Sequence, residues 1–191
     1  MSKSFTVKKL AFAAVALALA YVLSWIKLIN MPMGGTVTLL SMFFISIIGY
    51  WYGPVVGIIA GLAYGALQMT QDLYVLTAVQ VICDYFLAFG ALGLSGFLWK
   101  MKSRIKFGPF VLDNLIWGYL LAVLGRYFFS FISGWVFFGE YASYYGFSSG
   151  VIYSLAYNAA YIWVEAAITV VILMVPPVRK AIDRITVMAR S

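Results

Sequence analysis

Apolar residues fill long blocks of this chain, and polar residues collect in short breaks between them. The blocks run from about Leu10 to Ile29, Val37 to Trp51, Pro54 to Thr70, Leu73 to Trp99, Phe107 to Phe138 and Val151 to Val175. A helix crossing the hydrocarbon of a bilayer needs about 20 mostly apolar residues. The pattern therefore predicts an all-α integral membrane protein, a single domain of six transmembrane helices over 1–191. The second and third blocks are short, so they tilt little or thin the bilayer locally. The start of the first block resembles a signal peptide, with Lys3, Lys8 and Lys9 before an alanine-rich run that contains Ala18-Leu19-Ala20. Because the run continues through Tyr21 to Ile29, it is too long for a signal core and reads as a retained anchor.

Composition agrees. Hydrophobic residues make up 64% of the 191 positions and charged residues 10%, against about 25% in soluble domains. A mean hydropathy of +0.98 leaves no polar remainder for a separate soluble domain. Disorder, a secreted disulfide scaffold and a cytosolic enzyme are excluded. One cysteine rules out an intrachain disulfide, and the absence of histidine removes Ser-His and Cys-His catalysis and the usual zinc or haem ligation.

The formal charge is +7, and its placement decides its meaning. Lys3, Lys8 and Lys9 precede the first block, Lys100, Lys102, Arg104 and Lys106 fill the fourth break, and Arg179, Lys180, Arg184 and Arg190 follow the last block. With six spans these 11 of the 13 basic residues fall on one side, while Asp72 and Glu140 lie in the opposite connections. By the positive-inside rule both termini are cytoplasmic, and the basic excess is topological rather than a nucleic-acid footprint. The stretch from Arg179 to Arg190 reads as a short interfacial helix on anionic headgroups.

Small residues mark helix contacts. Gly53, Gly57, Gly61 and Gly65 recur every four residues and predict close packing within the bundle rather than a subunit interface. The pairs Ala14 with Ala18 and Ala16 with Ala20 on the first helix read the same way.

Charges within spans cost about 2.5 to 3.5 kcal/mol each even on the lenient insertion scale. Five occur: Lys27, Asp84, Asp113, Arg126 and Glu165. Lys27 and Asp113 lie near span ends and are expected to reach water. Asp84 and Arg126 fall roughly 17 Å along consecutive antiparallel helices from the outer boundary. They form either a buried salt bridge or the two poles of a hydrated cavity for a polar solute. The last span adds Tyr153, Ser154, Tyr157, Asn158 and Tyr161. Tyr153 and Asn158 stand about 140° apart on an ideal helix, so they converge only on a broad ligand or an irregular helix start. Asn158 otherwise serves as interhelical glue, and Glu165 is expected to pair with another helix.

Two outer connections read as lids: Asn30 to Thr36, and Phe138 to Phe147 with Tyr141, Tyr144 and Tyr145. With Tyr74 and Trp135 nearby, these aromatics form either an interfacial belt or a mouth suited to a planar organic cation. No phosphate-binding loop and no internal repeat is present, which favours a binding subunit that takes its energy from elsewhere.

The chain resembles the thiamine-specific substrate-binding component, or S-component, of energy-coupling-factor (ECF) vitamin transporters. The resemblance covers nearly the whole chain. It rests on Asp84-Tyr85 followed by Gly93-Leu94-Ser95-Gly96, then Arg126-Tyr127 with Ser133-Gly134 and Phe137-Phe138, then Tyr153-Ser154-Leu155 with Asn158, and the Pro32 to Thr36 loop. It implies thiamine bound near the outer face, beneath the first external loop and between the last three helices. Asp84 matches the acidic residue for the aminopyrimidine and Arg126 the basic residue near the hydroxyethyl end. Phe138 matches a stacking aromatic, Tyr153 and Asn158 the polar pair of the last helix, and Tyr74 an aromatic of the mouth, with Tyr85 and Ser130 beside them. Ser130 stands where histidine is expected in some family members. Ala14 and Ala18 match a stripe that docks on the membrane coupling subunit. The resemblance further implies no catalysis, no cofactor or metal, and partnership with a transmembrane coupling protein and two ATPase subunits in the bacterial plasma membrane. A self-sufficient secondary transporter or channel for a small organic cation is the alternative, and an intramembrane enzyme a third class.

Overall fold

A computed structural model describes residues 6–71, 73–101, 104–107 and 110–191. Lys3, Asp72 and Lys102 of the charge pattern lie outside them, as do the side chains of Arg104 and Lys106. Among the described residues six helices run in alternating directions: α1 (Val7–Ser24), α2 (Ser41–Tyr52), α3 (Pro54–Gln68), α4 (Ala78–Leu98), α5 (Asn114–Phe138) and α6 (Gly150–Met174). A terminal helix, α7 (Pro176–Arg190), follows. Four of the helices are long and apolar enough to cross a membrane, whereas α2 and α3, at 12 and 15 residues, are shorter apolar helices.

Two antiparallel hairpins depart from the expectation of helix alone: β1 (Lys27–Asn30) with β2 (Thr36–Thr38), and β3 (Arg104–Phe107) with β4 (Phe110–Asp113). The first helix thus stops at Ser24 instead of Ile29. There the Ser24 hydroxyl donates back to the Tyr21 carbonyl at 2.7 Å, closing the last turn. The fifth helix begins at Asn114 rather than Phe107, because Asp113 caps it by accepting from the Leu115 amide at 3.0 Å.

The chain termini share one end of the bundle, and α7 straps across it. Trp51 Nε1 donates to Thr186 Oγ1 at 3.0 Å, the Tyr52 hydroxyl to the Ala189 carbonyl at 3.2 Å, and Lys8 Nζ to Ser191 Oγ at 2.6 Å. Arg190 donates to the carbonyls of Tyr50 and Trp99. Arg179 grips Asp113 with two nitrogens and Asp183 with a third. Asp113 therefore does not reach water: it is 4% exposed and ion-paired. Burial works against the charge of Arg179, but Asp113 and then Asp183 outweigh it and push the guanidinium pKa up.

The glycine stripe of α3 is an internal seam. A Cβ at Gly57 would lie 2.6 Å from the Cα of Gly49 on α2 and 2.8 Å from that of Gly93 on α4. Gly61 and Gly65 likewise face the backbone of Phe89 and Tyr85, and Gly96 faces Pro54. Without a hydrophobic force between helices in lipid, such close approach supplies the dispersion contacts that hold them. The atoms nearest a Cβ at Gly57 are all backbone, so no side chain there can move aside. Gly57→Ala is therefore expected to cost about 1 to 3 kcal/mol, read as a lower melting temperature of the detergent-purified chain, and Gly57→Leu to prevent recovery of a monodisperse protein.

Candidate functional site

At the end opposite the termini the helices enclose a cavity of about 1080 Å³, counting its open mouth. The hairpin β1–β2 covers it, and α4, α5 and α6 supply three of its walls.

The α4 wall begins at Thr77, whose hydroxyl accepts from the Gln80 amide at 3.1 Å and starts the helix. Gln80, 1% exposed, accepts from the Leu76 amide at 3.2 Å and donates through Nε2 to Asp84 Oδ2 at 2.5 Å. One carboxylate oxygen is thus fixed by the protein, and the residue lines the cavity. Asp84 lies in a π-helical stretch, Ile82–Leu87, a winding found mostly as short insertions at functional sites. Because α4 begins at Ala78 and not Leu73, Asp84 is only two turns inside the helix. Tyr85 accepts from the Tyr74 amide at 3.2 Å and so ties the preceding segment to this wall.

On α5, Arg126 lays its guanidinium over the Phe89 ring at 4.5 Å, and its Nε is buried without a hydrogen-bond partner among the described residues. No ion pair joins Asp84 to Arg126 among the described residues; the two line the same cavity. Of the two arrangements open in the sequence, the structure has the shared cavity. Ser130 and Phe138 follow on the same face of α5, and Phe138 meets Tyr74 with ring centroids 5.7 Å apart.

The α6 wall brings Tyr153 and Asn158 to the one cavity despite their angular separation. Asn158 bonds along its own helix, donating to the Ser154 carbonyl at 2.9 Å and accepting from the Tyr161 hydroxyl at 2.8 Å. The interhelical bond expected of Asn158 belongs to Ser154, which donates to the Phe131 carbonyl of α5 at 2.7 Å. Gly134 permits this approach, since a Cβ there would stand 2.9 Å from Asn158 Nδ2.

All eight residues read from the sequence as ligand contacts therefore line one cavity: Tyr74, Asp84, Tyr85, Arg126, Ser130, Phe138, Tyr153 and Asn158. Trp135 does not; it faces outward, stacked on Phe131. Lys27 lines the cavity as well. Sequence reasoning missed Gln80, although a polar residue four before Asp84 on an apolar helix was its signal. It also missed Ser24, Gln68 and Gln71, where both glutamine side chains donate to the Ser24 hydroxyl at the cavity edge. On α1, Ala16 and Ala20 are buried in the bundle, whereas Ala14 and Ala18 are exposed.

The thiamine transporter protein family (Thia_YuaJ) matches residues 10–183. Thiamine transporter ThiT of Bacillus subtilis (strain 168) is 32% identical over 186 residues, covering 91% of this chain and 92% of that protein. A solved structure of ThiT from Listeria monocytogenes, 24% identical, shares the fold with a TM-score of 0.67 over 93% of this chain and 96% of that one. These names describe transporters, not enzymes. Together with the apolar helices they make this chain a multi-pass protein of the cell membrane. It belongs to the thiamine transporter family.

Proposed function

We propose that this chain captures thiamine from outside the cell as the substrate-binding subunit of an ECF-type transporter, the whole of 1–191 acting as one domain. The observation that carries this reading is the cavity with Asp84 and Arg126 held apart inside it, in a chain of this family. Thiamine carries an amino group, two flat rings, one of them cationic, and a hydroxyethyl tail. The Asp84 carboxylate accepts from the aminopyrimidine and Arg126 donates at the hydroxyethyl end. Phe138 and Tyr74 offer ring faces to the flat cation. Tyr85, Ser130, Tyr153 and Asn158 complete the polar lining, Ser130 in place of a larger histidine.

All six helices span the membrane in this reading. The basic residues Lys8, Lys9, Lys100, Lys180 and Arg184 gather at the end that carries the termini, which makes that end cytoplasmic. The cavity then opens outward. Ala14 and Ala18, exposed on α1, form the face that docks on a transmembrane coupling subunit. Two ATPase subunits supply the energy, because this chain has no phosphate-binding loop.

Titrating the detergent-purified chain with thiamine, followed by tryptophan quenching, tests the capture step; saturable quenching is expected. A folded, monodisperse sample that gives none means a cavity turned to another solute. In vesicles, uptake that persists without any ATPase partner would instead favour the self-sufficient transporter.

A further inference from the structure

One face of α6 presents Tyr153, Tyr157, Tyr161 and Glu165, each four residues after the last, and the hairpin β1–β2 rests along this row. At the tip, the Tyr153 hydroxyl points to Met33 Sδ at 3.9 Å. One turn on, the Tyr157 hydroxyl donates to the Pro32 carbonyl and accepts from the Gly35 amide at 3.0 Å. Tyr161 lies beneath Gly35, where a Cβ would stand 2.9 Å from its ring. At the base, Glu165 Oε2 accepts from the Thr38 amide at 3.1 Å and the Thr38 hydroxyl at 2.7 Å. Its Oε1 accepts from the Ser41 hydroxyl at 3.1 Å and the Met42 amide at 3.2 Å.

We infer that Glu165 is a positioning residue that anchors the base of the cavity cover, and that Tyr157 is the latch that releases its tip. The two ends of the row are unequal. Glu165 is 2% exposed, lines no part of the cavity, and collects four charge-assisted bonds, two from Thr38 of β2 and two at the start of α2, where the helix dipole adds to their strength. The tip is held by neutral groups alone, the Tyr157 hydroxyl and the weaker contact of the Tyr153 hydroxyl with Met33 Sδ, and bonds between neutral groups are roughly half as strong. The tip also carries strain, since Met33 takes φ 64°, a conformation that disfavours a side chain. Between the two, the pairing shifts register from Lys27–Thr38 to Ile29–Val37, a bulge beside the anchor where the hairpin bends. Letting a solute in therefore breaks the bonds of Tyr157 and leaves those of Glu165. This rests on the cavity being the capture site.

Hydrogen exchange of the solute-free protein in detergent, resolved at the Gly35, Thr38 and Met42 amides, tests the division of labour without depending on which solute binds. Tyr157→Phe is expected to speed exchange at Gly35 by about threefold to tenfold and to leave Thr38 and Met42 unchanged. Glu165→Gln should speed all three. Equal acceleration of Gly35 and Thr38 by Tyr157→Phe, or no change at Gly35, overturns the latch. An unchanged Thr38 in Glu165→Gln overturns the anchor. If Glu165→Gln does not fold, Thr38→Val removes one donor and is expected to speed Met42 exchange, an unchanged rate counting against the anchor. With thiamine as probe, Tyr157→Phe is expected to raise the dissociation rate by a similar factor; failure of thiamine to bind at all would count against the solute's identity and not against the exchange result.

Discussion

Asp84→Asn is expected to weaken thiamine binding by about tenfold to a hundredfold, seen as a rightward shift or loss of the quenching curve. The size follows from the type of bond. A hydrogen bond to a charged group contributes about 1.5 to 3 kcal/mol, and each 1.4 kcal/mol is about tenfold in affinity. Asparagine keeps the shape but loses the charge that faces a cationic solute. It also keeps a carbonyl to accept from Gln80 Nε2, so the α4 wall has no reason to collapse. The melting temperature should therefore stay close to that of the unaltered chain while affinity falls. Unchanged affinity would remove Asp84 from the site.

A large loss of stability is expected at the opposite end, from Asp113→Ala. The Arg179 and Asp113 side chains are 11% and 5% exposed, and the carboxylate also caps α5. Breaking a buried pair by removing one partner costs about 3 to 5 kcal/mol, because the remaining charge is stranded. Here Asp183, 46% exposed and 3.1 Å from Arg179 Nε, keeps part of the compensation, which places the loss at the lower bound. The double variant Asp113→Ala with Arg179→Met should melt higher than Asp113→Ala alone, since no charge is left without a partner. If the double variant melts lower, the pair is not what holds the strap.

Much of this was legible from hydrophobic pattern alone. Each of the six apolar blocks holds a helix among the described residues, four of them long and apolar enough to cross a membrane, because a lipid-facing backbone must satisfy its own hydrogen bonds and helices do so locally. The costly charges Asp84 and Arg126 marked the cavity for a related reason: nothing in lipid compensates them, so they face a polar space. The four-residue glycine spacing identified the α3 seam. What stayed hidden depends on partners far apart in sequence. Asp113 near a span end looked free to reach water, and only the fold brings Arg179, 66 positions later, against it. Glu165 was expected to pair with another helix; it does bond to the start of α2, yet through hydroxyls and amides and not through a charge. The hairpin β1–β2 was invisible because Lys27 to Ile29 continues an apolar run, and length alone does not separate a strand from a helix end.

The meeting of Gly49, Gly57 and Gly93 has a consequence for how this molecule can change over generations. Where side chains interdigitate, one substitution can be answered by another across the contact. Where backbone lies on backbone, there is nothing to trade, and every larger residue costs stability. The slab of α2, α3 and α4 is thus closed to gradual drift along its inner contacts. New solute preferences have to arise from the side chains that face the cavity, on α4, α5 and α6 and on the hairpin above them, which can be exchanged without disturbing the inner contacts of the slab.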